Sequence, residues 1–545
     1  MSDLLHIQDL SVVIAATPII KNVSLKVAAG EILGLVGASG SGKSMTARAI
    51  MQLLPPGASM TGSVQLRGEE LSGMSAARMQ AVRGRDVGMI FQEPMSALNP
   101  LMCIGDQVAE SVRLHRTVSR RSARDAARAA LDQVGLSGEA GALDRLPYEL
   151  SGGQQQRVAI AMAIVMAPCL VVADEPTTAL DVITQAQVLA LLRDLARLRG
   201  MGLLLVTHDL AVIAQLADRI AVMQQGEIIE QGNTAQILQH GRLPYTQALL
   251  SAARLRPKRA LEPRPDAAEV LRVEGVLLEY PRKRRSLFKA APPLRAVDGV
   301  SMSIRAGETV GLVGESGSGK SSLLKVILAL QNPGQGGVKL LGTAFSAMAG
   351  RSTRRLRRDI QAVFQDPVGS FDPRWPVERL IAEPFFLLDA PPWGAERRRK
   401  VAEVLDQVGL NASDAQRYPH EFSGGQRQRI AIARALITQP AVIAFDEAVS
   451  ALDVLVREQI LELLAQLAER LNVAYLFVTH DLHVIRAIAD RIYVMQRGRI
   501  VEEGATESVF SSPQHAYTRA LIEATPLLPE ANESLRARAR GSIAD

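Results

Sequence analysis

Two glycine-rich segments carry a pattern that binds phosphate. Each reads Gly-x-x-x-x-Gly-Lys-Ser, follows an apolar run and precedes a helical pattern. Glycine lets backbone N–H groups come close to phosphate oxygens, the helix start adds a positive dipole end, the lysine adds a charge, and the serine hydroxyl can bind Mg²⁺. The residues that we expect to bind a nucleotide here are Gly37, Ser39, Gly40, Ser41, Gly42, Lys43 and Ser44, and Gly314, Ser316, Gly317, Ser318, Gly319, Lys320 and Ser321.

An acidic pair follows each glycine segment and ends a further apolar run. These pairs are Asp174-Glu175 and Asp446-Glu447. A carboxylate at the end of a buried parallel strand lies in the crevice where such sheets bind ligands. We expect Asp174 and Asp446 to reach Mg²⁺ through water, and Glu175 and Glu447 to polarise an attacking water as general bases.

A histidine follows each acidic pair, directly after another apolar run. His208 lies 34 residues after Asp174, and His480 lies 34 residues after Asp446. A single histidine is more often structural, but the repeated spacing favours a functional one. We expect both histidines to donate a hydrogen bond to the terminal phosphate.

A second glycine motif, Ser-Gly-Gly-Gln, lies between the glycine segment and the acidic pair in each copy. A serine at a helix start is ordinarily a cap. Two glycines directly after it are costly in a helix, which suggests backbone donors kept clear for an anion. The residues assigned to nucleotide binding on this basis are Ser151, Gly152 and Gly153, and Ser423, Gly424 and Gly425.

The same motifs in the same order, about half a chain apart, indicate a duplicated domain. We predict a first domain over residues 1–255, a proline-rich charged linker over 256–270, a second domain over 271–525 and a loose tail over 526–545.

The elements that must position these residues are short, continuously apolar strands. Leu170–Ala173 and Leu203–Thr207 are typical of parallel strands covered on both faces, so each domain is predicted to be α/β. A helix is predicted from Lys43 to Leu54, where two prolines stop it. Residues 100–146 are rich in Ala, Arg and Leu and predict inserted helices.

Composition restricts the possible partners. The 545 residues are 47% hydrophobic and 22% charged, as in folded proteins. The net charge of +6 is concentrated in Arg282–Arg285, Arg354–Arg358 and Arg397–Lys400, which we interpret as solvated surface rather than a lipid or nucleic-acid site. Because aromatic residues make up only 4%, a base-stacking platform is not expected, and we predict no nucleic-acid partner.

The N-terminal residues and the cysteines bear on the compartment. No basic stretch precedes an apolar one at the N-terminus, so no signal peptide is expected. Cys103 and Cys169 have no metal-ligand spacing, and a reducing compartment fits them. The longest uncharged run, Val158–Ala173, is too short to span a bilayer, so any membrane role must come through a partner.

Taken together, the motifs resemble those of the ATP-binding cassette family over nearly the whole chain. The resemblance implies ATP and Mg²⁺ as cofactors. It implies two P-loop NTPase cassettes of the α/β class, each with a mostly parallel sheet core, an antiparallel β subdomain and a helical subdomain. Gln92 and Gln365 match the Q-loop glutamines, near Mg²⁺ and the coupling surface, and Asp181 and Asp453 match the D-loop.

The resemblance also implies that the two halves pair head to tail around two ATP molecules. Ser423-Gly424-Gly425 would then complete the site of Lys43, and Ser151-Gly152-Gly153 that of Lys320. Family members stack adenine on an aromatic side chain, for which Tyr280 fits in the second half. The first half offers only Val13 and Ile14, so we hypothesise weaker adenine binding there; an aliphatic contact that serves nearly as well is the alternative.

A narrower resemblance is to the ATPases of oligopeptide, dipeptide and nickel importers. It rests on Phe91–Pro100 and on two segments after the cassettes, Leu243–Leu250 and His515–Leu521. It implies an ATPase that energises import, with peptides as the default cargo. It further implies two transmembrane permease subunits, an extracytoplasmic solute-binding protein, and a peripheral position on the cytoplasmic face of a bacterial inner membrane.

Departures from the family pattern have limited consequences. No cysteine follows either cassette, so we predict no iron–sulfur centre. Ala448 stands where the first half has Pro176, and only a small effect is expected.

Two other classes share the nucleotide motifs. Soluble tandem cassettes that act on ribosomes resemble one another in having a long charged helical arm between the cassettes. Here the joint between the two halves is short and proline-rich. A DNA-repair cassette would need a zinc or coiled-coil insertion, which two distant cysteines and the short spacings exclude.

Overall fold

The structure is a computed structural model that describes residues 3–92, 97–136, 141–177, 180–254, 266–281, 292–345, 351–367, 369–450, 452–526 and 528. Three predictions fall wholly or mostly outside these residues: the basic run Arg282–Arg285, the interdomain linker, and the C-terminal tail. Residues 93–96 of the Phe91–Pro100 segment also lie outside them. Within the described ranges, every helix is too short or too polar to cross a bilayer.

The chain divides into two compact units, one reaching Arg254 and the other reaching Thr525. Each contains two sheets. The strands of the first unit are β1 Asp3–Ile14, β2 Thr17–Ala28, β3 Ile32–Val36, β4 Ala58–Leu66, β5 Glu69–Glu70, β6 Val87–Ile90, β7 Leu170–Asp174, β8 Gly202–Thr207, β9 Arg219–Gln224 and β10 Glu227–Asn233.

The larger sheet of the first unit has the order β10-β9-β3-β8-β7-β6. All neighbours pair in parallel except β10, which runs antiparallel at the edge. The smaller sheet, β2-β1-β4-β5, is antiparallel. The predicted α/β class with an antiparallel subdomain is therefore confirmed in this unit.

The helices of the first unit are α1 Lys43–Ile50, α2 Ala76–Val82, α3 Ile104–His115, α4 Arg120–Gln133, α5 Gly152–Ile164, α6 Val182–Arg199, α7 Leu210–Leu216, α8 Thr234–His240 and α9 Pro244–Ala253. Helix α1 ends four residues before the predicted Leu54. Gln52 has a φ of 49°, in the left-handed region, and its N–H donates to Ala49 O, so the chain turns before it reaches the prolines.

The second unit repeats this plan. Its strands are β11 Glu269–Tyr280, β12 Leu294–Arg305, β13 Thr309–Val313, β14 Gln335–Leu340, β15 Thr343–Ala344, β16 Ile360–Val363, β17 Val442–Asp446, β18 Ala474–Thr479, β19 Arg491–Gln496 and β20 Arg499–Ala505. The sheet orders are β16-β17-β18-β13-β19-β20 and β12-β11-β14-β15. Strand β11 begins two residues before the predicted domain start.

The helices of the second unit are α10 Lys320–Ile327, α11 Arg351–Asp359, α12 Val377–Ala382, α13 Gly394–Gln407, α14 Gly424–Leu436, α15 Val454–Leu471, α16 Leu482–Ile488, α17 Thr506–Ser511 and α18 Ala516–Ala524. Aspartates 181 and 453, assigned to the D-loop, cap α6 and α15 by accepting backbone N–H bonds.

The central strands are apolar because both faces of the larger sheet are covered. Every residue of β3, β8, β13 and β18 is buried. In the second unit this core contains an aromatic cluster, in which Phe445 stacks on Phe477 with ring centroids 4.6 Å apart and meets the edge of Tyr475 at 5.3 Å. This packing fixes the strand ends that carry the site.

Candidate active site

The phosphate loop of each unit joins a buried strand to a helix. In the first unit it connects β3 to α1, and a Cβ on Gly37 would lie 2.1 Å from Met223 O. Gly42 has a φ of 105°, which side chains other than glycine rarely adopt. Gly314 and Gly319 repeat these features, with a contact of 2.2 Å to Met495 O and a φ of 111°. These glycines are required by the shape of the loop.

The lysine of each loop is buried against the loop's own carbonyl oxygens. Lys43 Nζ donates to Gly37 O at 2.8 Å and to Ala38 O at 2.9 Å. Lys320 Nζ donates to Gly314 O at 2.7 Å and to Glu315 O at 2.9 Å. The charge and the backbone donors of the loop are thus held as one rigid group, as phosphate binding requires.

The aspartate at the end of β7 is 3% exposed and accepts a hydrogen bond from Ser44 Oγ at 2.9 Å. Burial raises the pKa of Asp174, and the adjacent charge of Glu175 adds to this, while the Ser44 bond opposes it. A bound cation would offset the cost of keeping this buried carboxylate charged. A hydroxyl and a carboxylate oxygen, with phosphate oxygens supplied by the nucleotide, form a donor set that fits Mg²⁺.

The second unit lacks one part of this arrangement. Burial, together with the charge of Glu447, raises the pKa of Asp446. Ser321 is exposed, and no hydrogen bond joins it to Asp446, although the structure describes both residues.

The two glutamates next to these aspartates have strained backbones. Glu175 and Glu447 each have a φ of 48°, which costs a residue with a side chain about 1 kcal/mol. Their N–H groups donate to Val206 O and Val478 O, both at 2.8 Å, so the neighbouring strand holds the strained turn. Strain that is maintained in this way is a feature of functional sites.

Each histidine contacts the glutamate of its own unit. His208 Nδ1 lies 3.0 Å from Glu175 Oε1, and His480 Nδ1 lies 3.1 Å from Glu447 Oε1. The hydrogen bond from His480 lowers the pKa of Glu447 despite burial. Burial alone would lower the pKa of His480, but its bond to Glu447 and that residue's charge raise it. The sequence did not predict this pairing, which leaves Nε2 as the ring atom able to meet a phosphate.

The Q-loop glutamines differ between the units. Gln92 Nε2 donates to Glu175 Oε2 at 2.9 Å, so both carboxylate oxygens of Glu175 are held, one by this amide and one by the histidine. Gln365 is exposed and makes no such bond to Glu447, both being described residues.

The Ser-Gly-Gly-Gln motifs are helix caps of the capping-box type. Ser151 Oγ accepts from Gln154 N at 3.3 Å, and Ser151 N donates to Gln154 Oε1 at 3.0 Å. Ser423 and Gln426 form the same pair at the same distances. Both serines therefore act as helix caps, and a role of these motifs in ligand binding must rest on the glycines.

The two glycines of each motif serve different purposes. A Cβ on Gly153 would lie 2.2 Å from Thr184 Cγ2 in α6, and one on Gly425 would lie 2.5 Å from Val456 Cγ1 in α15. The second glycine of each motif therefore permits close packing against that helix. A Cβ on Gly152 would meet only Leu180 at 3.9 Å, and one on Gly424 would meet nothing within 4 Å. The fold does not require the first glycine, which supports a role in approaching a ligand.

Tyr280 lines a cavity of about 470 Å³ that also includes Ser316, Lys320 and Glu447. Its hydroxyl donates to Gln331 Oε1 at 2.8 Å, which fixes the ring at the cavity wall. This position fits a base-stacking residue. In the first unit Ile14 packs partly buried against the hydrophobic core.

The sequence missed one set of contacts to the phosphate loops. Tyr245 in α9 accepts a hydrogen bond from Ala38 N at 2.8 Å, and Tyr517 in α18 accepts one from Glu315 N at 2.7 Å. Both tyrosines lie in the post-cassette segments that resemble those of importer ATPases. The repeated tyrosine was a signal, but the sequence does not show what its hydroxyl contacts.

Comparisons with known proteins identify the family. A family model described as ABC transporter matches residues 20–178 and 297–450. A model described as the C-terminal region of oligopeptide/dipeptide transporters matches residues 229–272 and 501–543.

Curated relatives match over nearly the full length. The oligopeptide transport ATP-binding protein OppD of Mycobacterium tuberculosis is 42% identical, covering 96% of this chain and 99% of its own. The glutathione import ATP-binding protein GsiA of Salmonella typhimurium is 44% identical, covering 93% and 86%. A solved dimeric ATP-binding cassette, bound to ADP and Pi, is 30% identical with a TM-score of 0.39, covering 43% of this chain and 98% of its own.

The fold and the site define a nucleotide-hydrolysing cassette protein in which the cassette occurs twice in one chain. The family match covers more than half of the sequence, and the chain belongs to the ABC transporter family. It is an ATPase of that family.

The unequal packing of Gly424 and Gly425, the two glycines of the second Ser-Gly-Gly-Gln motif, gives a testable prediction. Gly424→Ala adds a methyl group to open space, so the unfolding midpoint should stay within about 1 °C while ATP hydrolysis falls at least tenfold. Gly425→Ala is the matched control, because its methyl group collides with Val456 and should lower the free energy of unfolding by about 1–3 kcal/mol. Thermal unfolding and steady-state ATPase assays measure both; an active Gly424→Ala protein would contradict the ligand role.

Proposed function

We propose that this chain is the ATP-hydrolysing subunit of a multi-subunit importer of peptides or related small compounds. The observation that carries the proposal is the doubled site, in which phosphate loop, acidic pair and histidine meet at the carboxyl ends of the parallel strands in each unit. The post-cassette matches and the relatives named for oligopeptide transport and glutathione import support the direction of transport and the cargo class.

In the proposed reaction, water attacks the terminal phosphorus of ATP and ADP leaves. Glu175 and Glu447 accept the proton of that water as general bases. Glu175 is oriented for this by His208 on one carboxylate oxygen and by Gln92 on the other. The phosphate loops and their lysines bind the phosphates, and catalysis rests on positioning and on charge stabilisation.

Mg²⁺ would neutralise phosphate charge when bound. The residues that we propose as its protein ligands, directly or through water, are Ser44, Gln92 and Asp174, and Ser321, Gln365 and Asp446.

We propose that each Ser-Gly-Gly motif acts on the nucleotide held by the other cassette, so that ATP binding pairs the two. The uncrowded first glycines, Gly152 and Gly424, support this role.

Ser423→Arg should then impair the site of Lys43 more than the site of Lys320. Nucleotide titrations with one lysine at a time changed to Ala measure this; equal damage to both sites would contradict it.

We propose two transmembrane permease subunits and, through them, an extracytoplasmic solute-binding protein as partners. A surface groove of about 280 Å³ in the second unit supports this, because it lies beside the Q-loop and is largely apolar. Three of its residues, Leu330, Phe364 and Phe386, are 58%, 41% and 59% exposed. An exposed apolar surface of this kind marks an interaction site. The place of action would be the cytoplasmic face of a bacterial inner membrane.

The general-base assignment predicts a separation of binding from turnover. Glu175→Gln with Glu447→Gln keeps the size and shape of both side chains but removes the base, so turnover should fall by about 10²-fold or more. ATP affinity should change by less than about twofold. Phosphate release and equilibrium binding measure the two quantities, and sustained hydrolysis by the double variant would refute the assignment.

The same double variant tests the partner proposal. Tagged, expressed in its native host and extracted with ATP present, it should co-purify from membranes with two multi-span permease subunits, whose identity would then indicate the cargo. A matched control carrying Lys43→Ala and Lys320→Ala should recover less of them. Sedimentation with ribosomes, without a membrane partner, would overturn the importer proposal.

A further inference from the structure

The segments that follow the two cassettes contact the phosphate loops directly. The hydroxyl of Tyr245 accepts the N–H of Ala38 at 2.8 Å, and that of Tyr517 accepts the N–H of Glu315 at 2.7 Å. Ala38 and Glu315 are the second residues of their loops. The same contact therefore occurs at equivalent positions in both units, which argues against a chance approach of two side chains.

The loop residue that receives the tyrosine also holds the phosphate-binding lysine. The carbonyl oxygen of Ala38 accepts from Lys43 Nζ at 2.9 Å and from Ser41 N at 3.1 Å. In the second unit the carbonyl oxygen of Glu315 accepts from Lys320 Nζ at 2.9 Å. The tyrosine thus fixes the peptide group on one side of this residue, while the lysine binds the carbonyl on the other side.

The helix that carries each tyrosine is attached at its start to the antiparallel edge strand of the larger sheet. Glu230 in β10 accepts the N–H of Arg242 at 2.9 Å, just before α9 begins. Glu502 in β20 accepts the N–H groups of Gln514 and His515, at 2.7 and 3.0 Å, just before α18 begins. These bonds fix the start of each helix and hence the position of its first-turn tyrosine.

The threonine that follows each tyrosine packs into the unit. Thr246 and Thr518 are 1% and 2% exposed, so the inner face of the first turn of each helix is buried. Tyr517 is itself 7% exposed. A continuous series of contacts therefore runs from the edge strand through the post-cassette helix to the phosphate loop and its lysine.

We propose that Tyr245 and Tyr517 are positioning residues for ATP, which make the post-cassette segment part of each nucleotide site. Each hydroxyl holds the second loop residue in the orientation that presents the lysine and the loop N–H groups to phosphate. The inference rests on the proposed nucleotide site. The competing explanation is that the hydroxyl only attaches the helix to the unit.

The second unit offers a matched pair of variants. Tyr517→Phe removes a hydroxyl that accepts the N–H of loop residue Glu315. Tyr493→Phe removes a hydroxyl that accepts the N–H of Ser303 at 3.2 Å and a bond from Arg491 at 2.8 Å, outside the loop. Both keep the aromatic ring. In the full chain carrying Lys43→Ala and Glu447→Gln, calorimetric titration with MgATP reports the second site alone.

The proposal predicts that Tyr517→Phe raises the dissociation constant for MgATP about fivefold, the effect of one neutral hydrogen bond, with the number of sites per chain unchanged. Tyr493→Phe should change the dissociation constant by less than about twofold, because its lost bonds do not shape the loop. An unchanged dissociation constant for Tyr517→Phe, or equal increases in both variants, would overturn the proposal. So would fewer sites per chain at an unchanged dissociation constant, which is the result of a purely structural role.

A further comparison guards against misfolding and separates this proposal from the underlying one. Should Tyr517→Phe fail to fold, Tyr245→Phe, whose ring is only half-buried, decides the same question in the chain carrying Lys320→Ala and Glu175→Gln. If MgATP does not bind to the parent chain, or Lys320→Ala leaves binding at the second site intact, the nucleotide site itself is wrong. Binding that is lost with Lys320→Ala but unaffected by Tyr517→Phe overturns only the role of the tyrosine.

Discussion

The parallel pairing of the central strands brings the residues of the site together. In the first unit β3 pairs with β8 up to Val36 and Thr207, and β7 pairs with β8 up to Asp174 and Val206. Because these strands run in one direction and in this register, their carboxyl ends fall side by side. The phosphate loop, the acidic pair and the histidine, distant in sequence, therefore begin at one edge of the sheet.

The two units share this plan but not all of its contacts. Glu175 is held by both a histidine and a glutamine, whereas Glu447 is held by its histidine and not by the equivalent glutamine. In the second unit Arg457 Nη1 donates to Asp481 Oδ2 at 2.7 Å, beside the histidine. Burial alone would raise the pKa of Asp481, but the charges of Arg457, His483 and His480 and the N–H of His483 together lower it. Gln185 stands at the equivalent place in the first unit. The supports around the two glutamates therefore differ, although the glutamates themselves have the same strained backbone.

Much of the site could be predicted from sequence because its residues stand at strand ends. An apolar run that ends in Asp-Glu or in Thr-His predicts a buried strand, and it predicts that the polar residues lie at the strand's carboxyl end. The repeated order of motifs predicted the duplication, the sheets of the structure confirm the fold class, and the match to the family model confirms the family. The end of α1 was misplaced, since a left-handed Gln52 ended the helix before its prolines.

Contacts between distant segments could not be predicted in the same way. The bond from each histidine to its glutamate, the bond from Gln92 to Glu175 and the contact of Tyr245 with Ala38 all depend on side-chain directions set by tertiary packing. The different purposes of Gly424 and Gly425 likewise depend on Val456, which lies on another helix. A single sequence indicates that such residues are unusual, but not what they touch.

Each unit should bind one MgATP through a phosphate loop built around its own lysine. The most direct measurement is the number of MgATP molecules bound per chain by the Glu175→Gln, Glu447→Gln protein, determined by equilibrium titration. The role of the two lysines predicts two, with one remaining after either Lys43→Ala or Lys320→Ala and none after both. Binding that survives the loss of both lysines would contradict it.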